Sequence, residues 1–600
     1  MDSTERLEGS VTATNEISPG TLASALAGAR LLIGLGQGFV LWALFNAVET
    51  HSWPSTDFDF FGPALLIAVF VPIVAVTALG SLRPLTLCGW LAIVALFLGV
   101  LGLHEVARGS MGLHEITGNF EARVQIFAAA ALALFIAQAL VVAADCERKL
   151  VAVYPAYFDV AWKQEMQLLL ALLFVGLFWG VLWLGTALFH LIGIDYLENL
   201  ITRASFAIPA STLAFACALH LTDTRAGLVQ GMRNLLHMLL AWLLPLATML
   251  ILAFILSLPF TGLELLWRTS HGSEIVLSAA AVLVVLINTA YRDGTIVAVP
   301  VILRWAGSAA ALCLPVLIAI SAYGLALRIG QHGWTEARII AVACAAIGAC
   351  YAVGYAAGAV VSTRWLKRLE ATNVGTAGGI VLVIVLLTTI ADPARLSVID
   401  QIARLETGRI AAAEFDFKYL RFDAARYGRD ALERLKSAAW ASADIKQKAS
   451  NALALTTPYG GVQLSETQLA AMPVFPRGQM LPQSFVRQNW AKYPHAYSLP
   501  LCLSNSGDQC EAFVTKAPDG GQMIIVAGLK LRAQAEAFAL NAEGTWDAVG
   551  ALSSVIACES VRQALRSGEY RWAVPRQMDI EVGDQRLTIR PGQWDNPKCQ

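Results

Sequence analysis

Charge is what this chain has least of. Only 14% of its 600 residues are charged, against roughly a quarter in a soluble chain, while 56% are hydrophobic and the mean hydropathy is +0.59. A soluble globule is excluded, and a membrane protein is implied. The net charge is -1 with no basic cluster, so the electrostatic footprint of nucleic-acid binding is missing and no nucleic-acid partner is expected. Motifs for nucleophiles and phosphates are also lacking: there is no Gly-x-Ser-x-Gly, no Walker-type loop, no Cys-x-x-Cys and no EF-hand loop. The chain is expected not to be an enzyme and to need no cofactor. Nor does any Asp, Glu, Lys or Arg fall in the middle of an apolar run; Glu49, Glu165, Glu264, Glu274 and Glu336 all sit at run ends. Proton-coupled carriage, which needs buried ionisable groups, is not expected.

What is present is apolar sequence in pieces of membrane length. Spanning a hydrocarbon core takes about 20 mostly apolar residues, and eleven runs qualify: 29–48, 62–80, 84–103, 123–144, 166–194, 204–221, 235–258, 275–290, 308–327, 338–361 and 375–391. Charge separates this part from the rest. Residues 1–391 hold 19 Lys+Arg and 22 Asp+Glu, and residues 392–600, about half as long, hold 24 and 22. The expected fold class is an α-helical multi-pass membrane protein with a C-terminal exported α+β domain. Its parts are a polar, disordered tail (1–28), a transmembrane bundle (29–391), a helical collar (392–440) and an α+β domain (441–600).

Orientation follows from the loops, because Lys and Arg are retained on the cytoplasmic side. Alternate loops hold 13 and 6 of them, from Arg6, Arg30 and Arg83 on the rich side to Arg328 and Arg338 on the poor side. With the rich set inside, the N-terminus is cytoplasmic, and an odd number of spans places residues 392–600 outside, which in a bacterial chain means the periplasm. Cysteine use agrees. Cys88, Cys146, Cys217, Cys313, Cys344 and Cys350 lie in the membrane block, mostly within apolar runs. Cys502, Cys510, Cys558 and Cys599 lie in the soluble block, an even number that suits two disulfides in an oxidising compartment. Four cysteines allow three pairings; proximity favours Cys502–Cys510, which leaves Cys558–Cys599.

In the soluble block, Asp392-Pro393 reads as the cap and first residue of a helix that Gly408 closes, and a second helix starts at Asp423. Phe415, Phe417, Tyr419 and Phe422 form an aromatic cluster suited either to a membrane interface or to the domain's own core. Residues 441–500 are loop-rich. Strands at Glu511–Thr515 and Met523–Ala527 flank the turn Pro518-Asp519-Gly520-Gly521 as a hairpin, a short helix lies near 549–567, and two strands close the domain at Met578–Val582 and Gln585–Arg590 around Gly583-Asp584.

Few residues in the bundle carry chemistry. Gln37, Asn46, Gln138, Asn288, Tyr323, Tyr351 and Tyr355 are polar and uncharged, and hydrogen bonds between helices explain them more economically than a substrate path. Gly34/Gly38, Gly176/Gly180 and Gly354/Gly358 stand four apart, the spacing that lets helix backbones approach closely. His104-Glu105 and His114-Glu115 in the third extramembrane loop offer metal donors, but without the spacing of a helical zinc site, so no metal is expected. His190, His220 and His237 lie near span ends.

Several stretches are similar to one family. Tyr154-Pro155-Ala156-Tyr157-Phe158 with Ala161-Trp162-Lys163, Phe178 to Leu184, Leu258 to Leu263, Tyr291-Arg292-Asp293-Gly294, Gly333-Trp334-Thr335, and Asp416 to Asp423 with Arg426-Tyr427-Gly428 and Ala431 to Leu435 resemble bacterial inner-membrane proteins defined as a domain of unknown function, number four-one-five-three. The likeness runs from about 29 to 436. It implies a bacterial envelope setting and supplies no activity, substrate or catalytic residue. Two functions are therefore expected in order: a non-enzymatic envelope protein with a periplasmic domain or, as the alternative, a permease or facilitator for a small or lipid-like solute. Membrane lipids are the expected partners, with envelope proteins or a second copy of the chain as candidates.

Overall fold

The computed structural model describes residues 19–109, 120–224, 226–263, 272–294, 299–361, 365–455, 469, 471–488, 490, 500, 503, 510–517, 520–528, 535–541, 544–552, 558–572, 580–582 and 585–587. The chain divides into two compact units, Met1–Arg404 with Ala425–Tyr427, and Leu405–Ala424 with Gly428–Gln600.

The first unit is helical. Its elements are α1 (Pro19–Glu49), α2 (Phe58–Ala78), α3 (Pro84–Arg108), α4 (Phe120–Glu147), α5 (Tyr154–His190), the short α6 (Tyr196–Ile201), α7 (Ala204–Thr224), α8 (Ala226–Thr261), α9 (Gly272–Tyr291), α10 (Val301–His332), α11 (Glu336–Val361) and α12 (Leu369–Thr389). All but α6 are long and apolar enough to cross a membrane, which gives eleven spans among the described residues and makes the chain a multi-pass membrane protein. Helix α5, at 37 residues, is ~55 Å long at 1.5 Å per residue, well beyond a hydrocarbon core of about 30 Å. The expected disordered tail is shorter than the sequence suggests: α1 starts at Pro19, because Thr21 to Arg30 is rich in alanine and leucine, both strong helix formers. Residues 1–18 lie outside the described residues.

Lipid tails are as apolar as leucine, so these helices cannot be held together by hydrophobic exclusion from water and depend on close fit. One core joins α2, α3 and α4 through Leu66, Val94, Leu98, Leu101 and Leu134. A second joins α8, α9, α10 and α11 through Leu244, Leu283, Ile287, Leu314 and Tyr355. Helices α1 and α7 meet at the first glycine pair: a Cβ on Gly34 would strike Ala216, and one on Gly38 would strike the backbone of Pro209 and the Thr212 hydroxyl. Gly354 is closed over by the Thr372 side chain, and Gly358 makes ordinary contact with Leu366 and Arg368 at 3.6 Å. The third pair departs from expectation. Neither Gly176 nor Gly180 has an atom within 4 Å of where a Cβ would stand, because this stretch of α5, with Leu172, Leu173, Leu177 and Val181, is exposed. Within the chain it brings no helices together.

Helix α13 (Pro393–Glu406) follows α12 after three residues, with Asp392 accepting a hydrogen bond from Ala394 N at 2.9 Å and Gly408 in the left-handed region at φ +70 beyond its end. Helix α14 (Phe417–Phe422) is capped by Asp416, α15 spans Ala425–Ser437, and α16 (Ala443–Ala454) is capped by Ser442. Phe415 and Phe417 are buried and meet edge to face at 4.8 Å, so these two rings form core.

The second unit carries a five-stranded sheet in the order β1 (Val474–Phe475), β2 (Cys510–Lys516), β3 (Gln522–Gly528), β4 (Ala535–Leu540), β5 (Trp546–Ala551); β1 runs parallel to β2 and the other pairs are antiparallel. Helix α17 (Gln483–Arg487) precedes β2 in the chain, α18 (Glu559–Ser567) follows β5, and β6 (Ile580–Val582) pairs with β7 (Gln585–Leu587). Alternate residues of β3 feed two cores. Ile524 and Val526 join Phe485, Trp490, Phe538 and Trp546 on one face, while Ile525 and Ala527 join Phe513 and Leu565 on the other. The expected hairpin is present as β2–β3; Pro518 and Asp519 of its turn, and Gly583-Asp584, lie outside the described residues. The expected helix near 549–567 divides instead into the end of β5 and α18. Strand β4, whose Ala-Glu-Ala-Phe-Ala-Leu sequence favours helix by propensity, is a strand because its first four residues are buried and pairing overrides local preference. Helix α16 likewise falls where loop was expected.

Candidate functional site

Two polar clusters stand out in the helical unit. The first lies where α5, α9, α11 and α12 converge. The Asn373 amide is its hub: Oδ1 accepts from Tyr355 Oη at 2.6 Å, and Nδ2 donates to Asn288 Oδ1 at 2.6 Å and to Tyr154 Oη at 3.2 Å. Tyr351 stacks edge-on against Tyr355 at 5.6 Å. Alongside, Tyr291 Oη donates to Glu370 Oε1 at 2.8 Å, and Lys367 Nζ reaches the same oxygen at 2.5 Å. Both polar atoms of the Asn373 amide are engaged, so the hub ties helices together. Of the residues singled out by sequence, Asn288, Tyr351 and Tyr355 meet here. Gln37 bonds the Ala68 and Val69 carbonyls at 3.2 and 2.8 Å, and Gln138 accepts from Trp90 at 2.5 Å. Asn46 and Tyr323 are exposed.

The second cluster surrounds Arg108 at the end of α3. Its guanidinium lies 3.3 Å from Glu105 Oε1, 3.1 Å from Glu336 Oε1 and 3.2 Å from Asp392 Oδ2, and His104 Nε2 donates to Asp392 Oδ2 at 3.2 Å. Five N–H donors in a fixed fork let one arginine serve several carboxylates. Here a single guanidinium faces three carboxylates, two of them almost wholly buried, with His104 as a second cation source in the group. Burial would raise the Asp392 carboxyl, but the His104 bond, the Arg108 charge and the Ala394 amide outweigh it and hold Asp392 below the usual carboxylate range. Burial, together with Asp392, raises the Tyr427 phenol.

Asp392 also begins α13, which lies along the turn between α10 and α11. Asp400 accepts from Trp334 N at 2.8 Å, Ser397 Oγ donates to Trp334 O at 3.0 Å, Gln401 donates to the His332 and Trp334 carbonyls at 3.0 and 2.9 Å, and Arg404 donates to Gln331 O at 2.8 Å. The approach is close enough to require glycine at 333, where φ is +75 and a Cβ would fall 2.6 Å from Asp400 Oδ2. The segment leaving the last span is therefore clamped to the helical unit by its own side chains on the backbone of the α10–α11 turn and by His104 and Arg108 of α3 on Asp392.

Sequence reasoning placed His104-Glu105 in a loop. The structure puts both on the last turns of α3, engaged with Asp392 and Arg108, and His114-Glu115 lie outside the described residues. Among the described residues, His190, Asp195 and Glu198 bring metal-type donor atoms within 4.8 Å of one another, all on exposed side chains. His237 is buried between Phe158 and Trp162. In the second unit Cys510 and Cys558 are disulfide-bonded, while Cys502 and Cys599 lie outside the described residues; the six membrane-block cysteines are free thiols. The Arg108 cluster was missed because its members come from positions 104–108, 336 and 392. A signal did exist, since all three positions fall on the same side of the alternating loops. No protein-family model, curated protein or solved structure matches the chain.

Proposed function

We propose that the protein is a non-enzymatic component of a bacterial cell envelope, embedded in the inner membrane with its N-terminus in the cytoplasm and its C-terminal unit in the periplasm, where the bundle serves as a rigid anchor. The observation that carries this reading is the clamp on α13. A chain leaving a membrane on a flexible tether needs no such attachment, whereas here four side chains of one helix and a buried arginine cluster fix the exit segment. The 13 to 6 division of Lys and Arg between alternate loops supports the orientation, and the resemblance of residues 29–436 to an inner-membrane family supports the setting. The disulfides we assign in the second unit, Cys502–Cys510 and Cys558–Cys599, require an oxidising compartment.

Reporter fusions test the orientation. A reporter active only in the cytoplasm should work when fused after residue 28 and fail after residue 600, and one active only in the periplasm should do the reverse. The same answer at both positions would sink the proposal. Transport of a small or lipid-like solute is the weaker second reading: polar side chains gather around Asn373 inside the helical unit, but they bond one another. A permease would need that knot to open, and its hub hydrogen bonds are all made between side chains of the chain itself.

A further inference from the structure

We propose that the second unit holds a binding pocket for a small carboxylate whose apolar body is about the size of a benzene ring. A cavity of ≈ 150 Å³ opens on the sheet face covered by α18, with Phe513, Ile525 and Leu565 among its walls and Tyr570, Arg571 and Trp572 also lining it. An apolar cavity of this volume is large enough to take benzene. The segment that carries the last three residues is positioned, because Gly568 at φ +80 ends α18 and turns the chain. Trp572 Nε1 then donates to Lys516 O at 3.0 Å, and Tyr570 Oη bonds Thr515 Oγ1. Both rings stay about half exposed, at 44% and 49%.

Charge selects the class of occupant. The neighbouring arginines are already satisfied: Arg566 is held by Glu511 and Glu559, and Arg562 faces Glu511 and the Gly528 carbonyl. Arg571 has no ion pair and no hydrogen bond among the described residues, although it lines a mostly apolar pocket whose two hydroxyls, of Thr515 and Tyr570, bond each other. A guanidinium matches a carboxylate with two parallel N–H bonds. A phosphate monoester, with its second charge and third oxygen, would call for more donors than one arginine and two hydroxyls provide. Tyr, Trp and Arg are also the residues that dominate binding energy where they line a pocket. The pocket lies wholly within the second unit, so the inference is independent of membrane orientation.

The test is calorimetric titration of the full-length protein in micelles with phenylacetate, and with 2-phenylethanol as the uncharged counterpart. Saturable binding of phenylacetate, weakened on the order of tenfold by Arg571→Gln with 2-phenylethanol unaffected, is the expected result. Leu565→Trp should fill the cavity and abolish both; should that variant misfold, Arg571→Gln decides alone, since residue 571 is exposed. A short peptide ending in phenylalanine, as free acid and as amide, distinguishes the source: tighter binding of the peptide acid than of phenylacetate identifies a chain terminus, and equal or weaker binding identifies a free acid. No saturable binding of either carboxylate, or binding that Arg571→Gln leaves unchanged, overturns the proposal.

Discussion

Arg108 and the glycine pairs decide what single residues contribute to this bundle. Removing the arginine leaves Glu105 and Asp392 buried without the guanidinium that faces them both, whereas neutralising one carboxylate leaves the others paired with it. Arg108→Met should therefore destabilise the protein by about 3–5 kcal/mol, and Glu105→Gln by clearly less, measured as thermal unfolding in micelles. Equal losses would show that the excess of negative charge does not matter. The cluster also sets an acid limit. Asp392 titrates lower in the folded state than in the unfolded one, so its contribution is present above about pH 4, the ordinary carboxylate value, and is lost as pH falls through its folded value. Asp392→Asn should flatten the fall in stability below that pH, and an unchanged acid profile would contradict this. Among the glycines, Gly38→Ala and Gly354→Ala place a methyl where Pro209 and Thr372 already stand, at a cost of about 1–3 kcal/mol. Gly176→Ala and Gly180→Ala meet open space inside a helix and should leave stability unchanged or raise it by up to about 1 kcal/mol. Spacing alone makes the three pairs look equivalent. What separates them is whether another helix is there.

Helix α13 is the element on which the anchoring reading depends. Its start was legible, since an aspartate cap followed by proline is a local signal and span 375–391 leaves no linker. Its attachment was not, because Trp334, Gly330 and Gln331 are more than 60 residues away from the side chains that hold them. The first unit takes in residues up to Arg404 and again Ala425–Tyr427, so a chain ending at residue 440 contains all of it. That chain should insert and remain monodisperse in micelles, while one ending at residue 391 should unfold at lower temperature, having lost Asp392 and the whole of α13. Equal stability of the two would remove the clamp's role. In the second unit, β4 and α16 show how element type depends on surroundings: alanine-rich β4 is a strand because both neighbouring strands pair with it, and α16 packs Ile445, Ala449 and Ala452 inward at the start of a stretch whose prolines, from Pro458 onward, suggest loop.

For the whole molecule, the alternation of spans has an internal check. Every ion pair between different spans of the helical unit that is described above joins ends that alternation assigns to one side, and the same holds for Arg30 with Asp223 at 2.8 Å, Lys163 with Asp223 at 2.8 Å and Arg233 with Asp159 at 2.8 Å. A missed or invented span would have placed some partners on opposite faces of the bilayer. Thiol labelling of denatured, unreduced protein bears on the second unit: Cys88, Cys146, Cys217, Cys313, Cys344 and Cys350 should react, and Cys502, Cys510, Cys558 and Cys599 should react only after reduction. Labelling of all ten without reductant would contradict both the pairing and the periplasmic placement.

The number of spans, their order, the α13 cap and the β2–β3 hairpin were determined by the sequence by itself, because each rests on a property of a short contiguous window: the cost of placing about 20 residues in hydrocarbon, the chemistry of a helix cap, the alternation of a strand. Tertiary structure alone decided which helix faces are partnered, which glycines are in contact and which acids share Arg108. The physical reason is that a helix interior and a lipid tail are equally apolar, so the hydropathy of α5 is the same whether Gly176 faces a neighbour or the bilayer. Only the placement of helices distant in the chain distinguishes the two.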